Sequence, residues 1–384
     1  MIIEQRFTIS YHYNIHFITD VFNVQNATFG DILQKHSNSS FAPSLLFVID
    51  SNVGIRHPQL QTAITSYLHK NTPGNCTAHF LVIPGGEKAK ENDTAYQVIL
   101  NAIHQFNIDR HSFVVAIGGG AVCDVTGFAA TVAHRGIRLI RIPTTTLGQN
   151  DAAIGVKNGI NAYGKKNFLG TFATPVAVIN DSAFLKTLSQ RTWISGVSEA
   201  IKVALIKDAG FFERIEQLAP ALRERNEEAM QETIIACARL HLQHIANGDP
   251  FETGSSRPLD FGHWSAHKLE RMSDYKLLHG EAVAIGIALD CTYANMMGYL
   301  SMDELNRILD LLSALNLPVA HPLLHHTEAL LQGLQEFREH LGGVLTIPLL
   351  TAIGNARNAT TINEQVMQDA AKRLITISQP TSLV

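Results

Sequence analysis

A chain of 384 residues is long enough for two domains, each with its own core. Its 46% hydrophobic and 17% charged residues are ordinary for a globular protein, and a formal net charge of -4 gives no reason to expect nucleic acid or an anionic membrane as partner. Four cysteines (Cys76, Cys123, Cys237, Cys291) are widely spaced and form no CxxC pair. That pattern excludes a disulfide framework and a thiolate zinc site, and it suits a reducing compartment.

The opening stretch MIIEQRFTISYHYNIHF alternates apolar and polar residues and carries Glu4, unlike a signal peptide. Its period of two predicts an antiparallel hairpin at a sheet edge. No uncharged apolar run reaches the roughly 18 residues that a membrane span needs, so the sequence reads as cytoplasmic. Apolar runs follow at 45–50 (LLFVID), 78–86 (AHFLVIPGG), 112–120 (SFVVAIGGG), 137–143 (IRLIRIP) and 175–181 (PVAVIND). Helical segments such as ENDTAYQVILNAIHQF and AVCDVTGFAATVAHR lie between several of them. Buried strands alternating with helices predict an α/β domain over 1–185, with a doubly wound, mostly parallel, Rossmann-like sheet.

Beyond about residue 182 the period changes to 3.6. SGVSEAIKVALIKD, NEEAMQETIIACARLHLQHIA, GEAVAIGIALDCTYANMMG and MDELNRILDLLSALN read as helices, and only LTIPLL (345–350) reads as a strand. The expectation is a mainly α-helical domain over 186–384, with the active site in the cleft between the two domains.

A strand runs directly into Gly118-Gly119-Gly120 and then a helix bearing Asp124. Glycines there let backbone approach a pyrophosphate, while the helix N-terminus offers unpaired N–H groups. The spacing is not GxGxxG, so an ordinary Rossmann dehydrogenase is not implied. Three more strand ends carry suitable chemistry. Asp50 and Asn52 suit ribose or adenine, Glu87 and Lys90 follow the strand ending at PGG, and the PTTTLGQND hydroxyls suit a diphosphate. In a parallel sheet these turns share the carboxyl ends of the strands, where ligands bind.

His263 and His267 stand one helical turn apart, and His279 opens a long apolar helix. Isolated histidine pairs are often surface or capping groups. Here Glu199, flanked by Ala200, Ile201, Val203 and Ala204, sits on a largely buried face where a carboxylate needs a partner. With His263 and His279 it would close a three-ligand metal site.

In this order the segments GGGAVCDVTGFAA, HRGIRLIRIPTTTLGQNDAAIGVKNGINAYGKKNFLGTF, FLKTLSQRTWISGVSEAIK, and GHWSAHKLE followed by LHGEAVAIG resemble the 3-dehydroquinate synthase family, the wider group of NAD-dependent sugar phosphate cyclases. The likeness covers 45–290, with a weaker tail to 352. It implies NAD contacts from Asp50, Asn52, Glu87, Lys90, Gly119, Gly120, Asp124, Thr144, Thr145, Lys166, Thr187 and Leu188. It implies a divalent metal, zinc with cobalt as an alternative, on Glu199, His263 and His279. Asp151, Lys157, Asn167, Lys202 and His267 would line the substrate pocket, and Arg135 would reach a substrate phosphate across a homodimer interface. The reaction implied is transient oxidation of a carbinol by NAD, phosphate elimination, reduction and intramolecular aldol closure to a carbocycle. A metal would act in it as a Lewis acid, lysines would stabilise oxyanions, and His267 would relay protons.

The chain departs from the family pattern where a substrate carboxylate would be held. Reading back from His263 without gaps, Asp249, Glu252 and Gly254 fall on the family's acidic turn. The lysine position is Leu242, the arginine position is Ser256 and the asparagine position is Asp260. Arg257 is displaced by one place and, like His241, His244 or Arg338 in EFREHLGG, is a candidate substitute, with Asp260 and Arg257 counted as substrate-binding. The expected substrate is therefore a sugar phosphate lacking a carboxylate, such as sedoheptulose 7-phosphate. Two alternatives stand beside it: an authentic 3-dehydroquinate synthase, and a metal-dependent NAD polyol dehydrogenase.

Overall fold

The computed structural model describes residues 1–37, 43–72, 76–91, 94–246, 250–251 and 258–378. The chain forms two compact units, Met1–Pro143 with Val156–Asp181, and Thr144–Gly155 with Ser182–Val384.

The first unit is built on strands β1 (Asn14–Ile18), β2 (Ser44–Asp50), β3 (Thr77–Ile83), β4 (Phe113–Gly118), β5 (Arg138–Pro143) and β8 (Ala177–Asp181). They form one sheet in the order β1-β8-β5-β4-β2-β3, and every pairing is parallel. The apolar runs at 45–50, 78–86, 112–120, 137–143 and 175–181 all become strands of this sheet, as their continuous apolar character predicts. Helices α1 (Thr28–His36), α2 (Ser51–Arg56), α3 (Leu60–Asn71), α4 (Thr94–Gln105) and α5 (Gly120–Val132) complete the layers. Leu46, Val48, Val114, Ile99 and Val125 pack in one core that joins β2 and β4 to α4 and α5.

Two local expectations need correction. The opening residues form no antiparallel hairpin: only β1 is a strand, and it pairs with β8 in parallel. A second sheet was not foreseen. Strands β6 (Lys157–Ala162) and β7 (Lys165–Phe172) form an antiparallel hairpin around Tyr163 and Gly164, both at positive φ. This hairpin is seated by Arg141, fully buried in β5, whose Nη2 donates to Lys157 O at 3.0 Å and Asn158 Oδ1 at 2.6 Å. Gly127 of α5 makes room for it, since a Cβ there would lie 1.8 Å from Asn158 Oδ1.

The second unit carries α6 (Gln190–Ser195), α7 (Val197–Lys207), α8 (Ala209–Arg223), α9 (Glu227–Ala246), α10 (His263–Met272), α11 (His279–Met296), α12 (Met302–Ala314), α13 (Thr327–His340) and α14 (Glu364–Ser378). LTIPLL yields β9 (Ile347–Ala352), which pairs with an unforeseen antiparallel partner, β10 (Asn355–Ala359). The segment 144–155 packs with this unit. No described helix is long and apolar enough to cross a membrane.

Candidate active site

In the first unit the chain runs from β2 outward to β3 and then returns to β4, so the winding direction reverses between β2 and β4. Their carboxyl ends are Asp50 and Gly118, the place where open α/β sheets bind nucleotides. Asp50 caps α2, accepting from Asn52 N at 2.8 Å and Asn52 Nδ2 at 3.1 Å, and it also accepts from the Gly119 N–H. Burial nevertheless outweighs these bonds and raises the Asp50 carboxyl above its ordinary range. A Cβ on Gly85 would fall 2.2 Å from Asp50 Oδ1, so a side chain there would displace this carboxylate. Helix α5 starts at Gly120 with no side-chain cap, leaving N-terminal N–H groups for an anion. Around this turn Lys90, 2% exposed, holds Asp124 Oδ2 at 2.7 Å and also donates to Asn167 Oδ1. Glu87 accepts from Asn161 at 3.1 Å and lies 3.8 Å from Lys166 Nζ. An uncapped helix end and a glycine-lined approach fit a nicotinamide dinucleotide.

Thus Asp50, Asn52, Glu87, Lys90, Gly119, Gly120, Asp124 and Lys166 belong to one unit. Thr144, Thr145, Thr187 and Leu188 lie in the other, where the last three already serve local structure. Thr145 Oγ1 accepts from Gly148 N at 3.0 Å, Thr187 donates to Phe184 O at 3.2 Å, and Leu188 O accepts from Arg225 at 2.9 Å. Lys157 is exposed at the start of β6, and Asn167 is exposed on β7 at φ 53°. Arg135 is exposed after α5 and, like His134, sits at positive φ.

In the second unit three close backbone approaches assemble the metal-type residues. A Cβ on Gly196 would lie 2.3 Å from Leu147 N, so the start of α7 packs directly on the segment that leads to Asp151. A Cβ on Gly280 would lie 1.8 Å from Ser195 O, bringing the start of α11 onto α6. Gly262, at φ 76°, starts α10, and a Cβ on Gly286 would lie 2.1 Å from its carbonyl oxygen, so α10 packs backbone to backbone on α11. Three helices deliver four groups: α7 gives Glu199, α10 gives His263 and His267, and α11 gives His279.

These groups converge. Glu199 Oε1 lies 3.7 Å from His263 Nε2 and 3.4 Å from His279 Nε2. Ring nitrogens of His263, His267 and His279 all lie within 4.8 Å of one another. Both Glu199 oxygens are buried without a regular hydrogen bond, although Lys202 Nζ stands 2.5 Å from Oε2. Nδ1 of His263 faces Phe261 O at 3.1 Å and Nδ1 of His279 faces Glu270 Oε2 at 3.0 Å, which leaves each Nε2 toward Glu199. A buried carboxylate whose Oε1 faces two imidazoles oriented through their far nitrogens fits a divalent cation.

The electrostatics fit as well. Burial alone would raise the Glu199 carboxyl, but Lys202, then His279, outweigh it and hold it at about 2. Asp151 likewise resists burial: Lys202, and then His241 with Nδ1 2.6 Å from Asp151 Oδ1, hold it at about 2. Burial would lower the Lys202 ammonium, yet Asp151, Glu199 and Asp260 hold it well above its ordinary value. Burial, reinforced by Lys202, keeps His263 neutral, as a metal-binding imidazole must be. Three carboxylates, Asp151, Glu199 and Asp260, against one buried ammonium leave a negative site.

Ser256 and Arg257, together with Asp249, Glu252 and Gly254, lie outside the described residues. Leu242 is half-buried on α9 and Arg338 is exposed on α13. Two groups escaped the sequence reading. Glu270 follows His267 by three residues, a helical spacing that marked it as a same-face neighbour. Asp290 gave no such local signal, because its partners Trp264 and Gly262 are 26 and 28 residues away.

The 3-dehydroquinate synthase N-terminal family model matches residues 80–195, and the 3-dehydroquinate synthase C-terminal model matches residues 196–338. A 3-dehydroquinate synthase from Campylobacter hominis is 39% identical over 273 residues, 70% of this chain and 77% of that protein. A 2-epi-5-epi-valiolone synthase from an Actinomyces species is 33% identical over 340 residues, 86% of this chain and 87% of that protein. The structure of ValA, a 2-epi-5-epi-valiolone synthase from Streptomyces hygroscopicus subsp. jinggangensis with NAD+ and Zn2+ bound, matches with a TM-score of 0.88. Its sequence identity is 29%, and the match covers 98% of this chain and 100% of that one.

Proposed function

This chain belongs to the 3-dehydroquinate synthase family, and from that premise we propose that it is an NAD- and zinc-type metal-dependent sugar phosphate cyclase acting on a ketose phosphate without a carboxylate, of the sedoheptulose 7-phosphate kind. The observation that carries the reading is the charge balance around Lys202. Among the described residues, the buried lysines of the second unit are Lys202 and Lys268. Lys202 is taken up by Glu199 and Asp151, and Lys268 is paired with Glu336 at 2.7 Å. Leu242 occupies the family's lysine position. No buried cation of that unit remains, within those residues, for a substrate carboxylate.

A divalent metal on Glu199, His263 and His279 would supply Lewis acidity toward a carbinol oxygen, and NAD would supply reversible hydride acceptance. The chain's own groups account for the rest. Lys202, kept charged by its two carboxylates, stabilises a developing oxyanion. His267, half-buried beside His263 and His279 with ring centroids 5.3 and 5.8 Å away, accepts and returns a proton at an imidazole nitrogen. Asp151, fixed by His241, holds Lys202 in place. Lys157 and Asn167 on the β6–β7 hairpin bind the phosphate, Lys166 serves the cofactor side, and Asp260 accepts from a substrate hydroxyl. Arg135 is assigned by the family pattern to a phosphate in the partner's site, so the proposal includes a homodimer.

The test is a phosphate-release screen of purified enzyme with catalytic NAD and zinc. A cyclase releases phosphate from a neutral heptulose phosphate with no lasting NADH absorbance, and the product mass equals substrate minus phosphoric acid. Stoichiometric NADH without phosphate release would indicate a polyol dehydrogenase instead. A second reading, authentic 3-dehydroquinate synthase, is favoured by the 39% identity to the Campylobacter hominis enzyme. Phosphate release from the carboxylated heptulosonate alone would select it.

A further inference from the structure

Helix α11 carries a second buried acid that the proposed chemistry does not use. Asp290 is fully buried and forms no salt bridge among the described residues. Its carboxylate instead accepts from Trp264 Nε1 at 2.9 Å (Oδ1) and from Gly262 N at 3.1 Å (Oδ2). These two donors flank His263 in the chain. Burying a carboxylate with only neutral donors is costly, so an apolar residue at 290 would be the cheaper way to pack a helix.

Helical geometry shows what the acid accomplishes. His279, Gly286 and Asp290 are separated by 7 and 4 residues, hence stand on one face of α11. That face meets α10, which runs antiparallel to it: Glu270 reaches His279 at one end, and Gly262 and Trp264 reach Asp290 at the other. Gly262 cannot carry a side chain here, being at φ 76° with its would-be Cβ 2.9 Å from Ile287 N. The first residue of α10 is therefore located by Asp290, and the first residue of α11 is His279. Both imidazoles are referenced to one rigid helix, with ring centroids 5.3 Å apart.

Resting on the metal reading above, we propose that Asp290 is a positioning residue for the metal site: by gripping the Gly262 N–H and the Trp264 indole it fixes the start of α10, and so the distance between His263 and His279. The grip acts through His263 and does not touch a ligand itself.

The experiment measures zinc affinity of the full chain by competition with a chromophoric chelator, alongside the visible absorption spectrum of the cobalt-substituted protein. Asp290→Ala is expected to weaken zinc about 10-fold or more, in the range typical for groups that orient metal ligands, and to alter the cobalt spectrum. Trp264→Phe removes one of the two donors and is expected to weaken zinc by a smaller factor. Asp290→Asn, which keeps an acceptor for the indole, should recover part of the loss. Wild-type affinity and an unchanged cobalt spectrum in a folded Asp290→Ala protein would overturn the inference, leaving Asp290 a packing residue. If that variant does not fold, Trp264→Phe decides alone, with unchanged affinity and spectrum overturning it. Failure of wild type to bind stoichiometric zinc, or retention of zinc after His263→Ala, would overturn the metal reading and this inference with it.

Discussion

Oε2 of Glu270 lies 3.0 Å from Nδ1 of His279, and Glu270 is 2% exposed. A buried carboxylate thereby fixes the tautomer and ring plane of an imidazole whose opposite nitrogen faces Glu199. Glu270→Ala should lower zinc affinity about 10–100-fold while leaving the far-UV circular dichroism unchanged. Glu270→Gln, which can still accept from Nδ1–H, should lose less. The chelator competition that measures zinc binding checks both.

Lys202 holds two acids below their ordinary range. Lys202→Met removes the ammonium between Asp151 and Glu199, leaving buried carboxylates uncompensated. A loss of about 3–5 kcal/mol in urea unfolding of the metal-free protein is expected. Lys202→Met in combination with Glu199→Gln should lose less than the sum of the single changes, because the two groups are 2.5 Å apart and their effects couple.

The pH dependence of stability should carry a signature of Asp290. Burial raises its carboxyl from 3.8 to about 7, so between these values the folded state binds a proton that the unfolded chain does not. Stability contributed by the protonated form is therefore lost as pH rises from the unfolded value through the folded one. The rise from 3.8 to about 7 corresponds to roughly 4 kcal/mol at most. Urea unfolding of wild type and Asp290→Asn at a series of pH values should show the stability difference between them shifting against wild type as pH rises toward neutrality, because groups common to both proteins cancel in that difference.

Gly280→Ala should disturb the site without changing any ionisable group. Its Cβ would meet Ser195 O at 1.8 Å, a backbone atom that cannot swing aside. The start of α11 must then move away from α6, and His279 with it. A cost of about 1–3 kcal/mol in stability is expected, together with weaker zinc binding. Gly298→Ala is the control, because nothing lies within 4 Å of its would-be Cβ. Its φ of 73° makes any loss there one of backbone strain, with zinc affinity kept.

What the sequence disclosed follows the range of the forces involved. Strands β2, β3, β4, β5 and β8 were legible because each is a continuous apolar run. The long helices of the second unit were legible from their 3.6 period. The β6–β7 hairpin was not, since NGINAYGKKN has no apolar run, and what holds it is Arg141, contributed by another strand. The N-terminal alternation suggested a hairpin, but a single parallel partner, β8, captured it. At the proposed site, motif order grouped Glu199, His263 and His279, and the structure brings these three together. Glu270 carried only its helical spacing from His267 and Asp290 carried no local signal, because the partners of both lie on another helix whose docking depends on Gly262, Gly280 and Gly286.

The most direct measurement of the central claim is the ratio of kcat/KM for a neutral heptulose phosphate to that for its carboxylated heptulosonate counterpart, in one preparation with NAD and zinc. With Leu242 in the lysine position and Lys202 already engaged, a carboxylate would forgo charged hydrogen bonds that contribute about 1.5–3 kcal/mol each, so the ratio should exceed about 10. A ratio below one, with dehydroquinate as the product, would contradict a substrate that lacks a carboxylate.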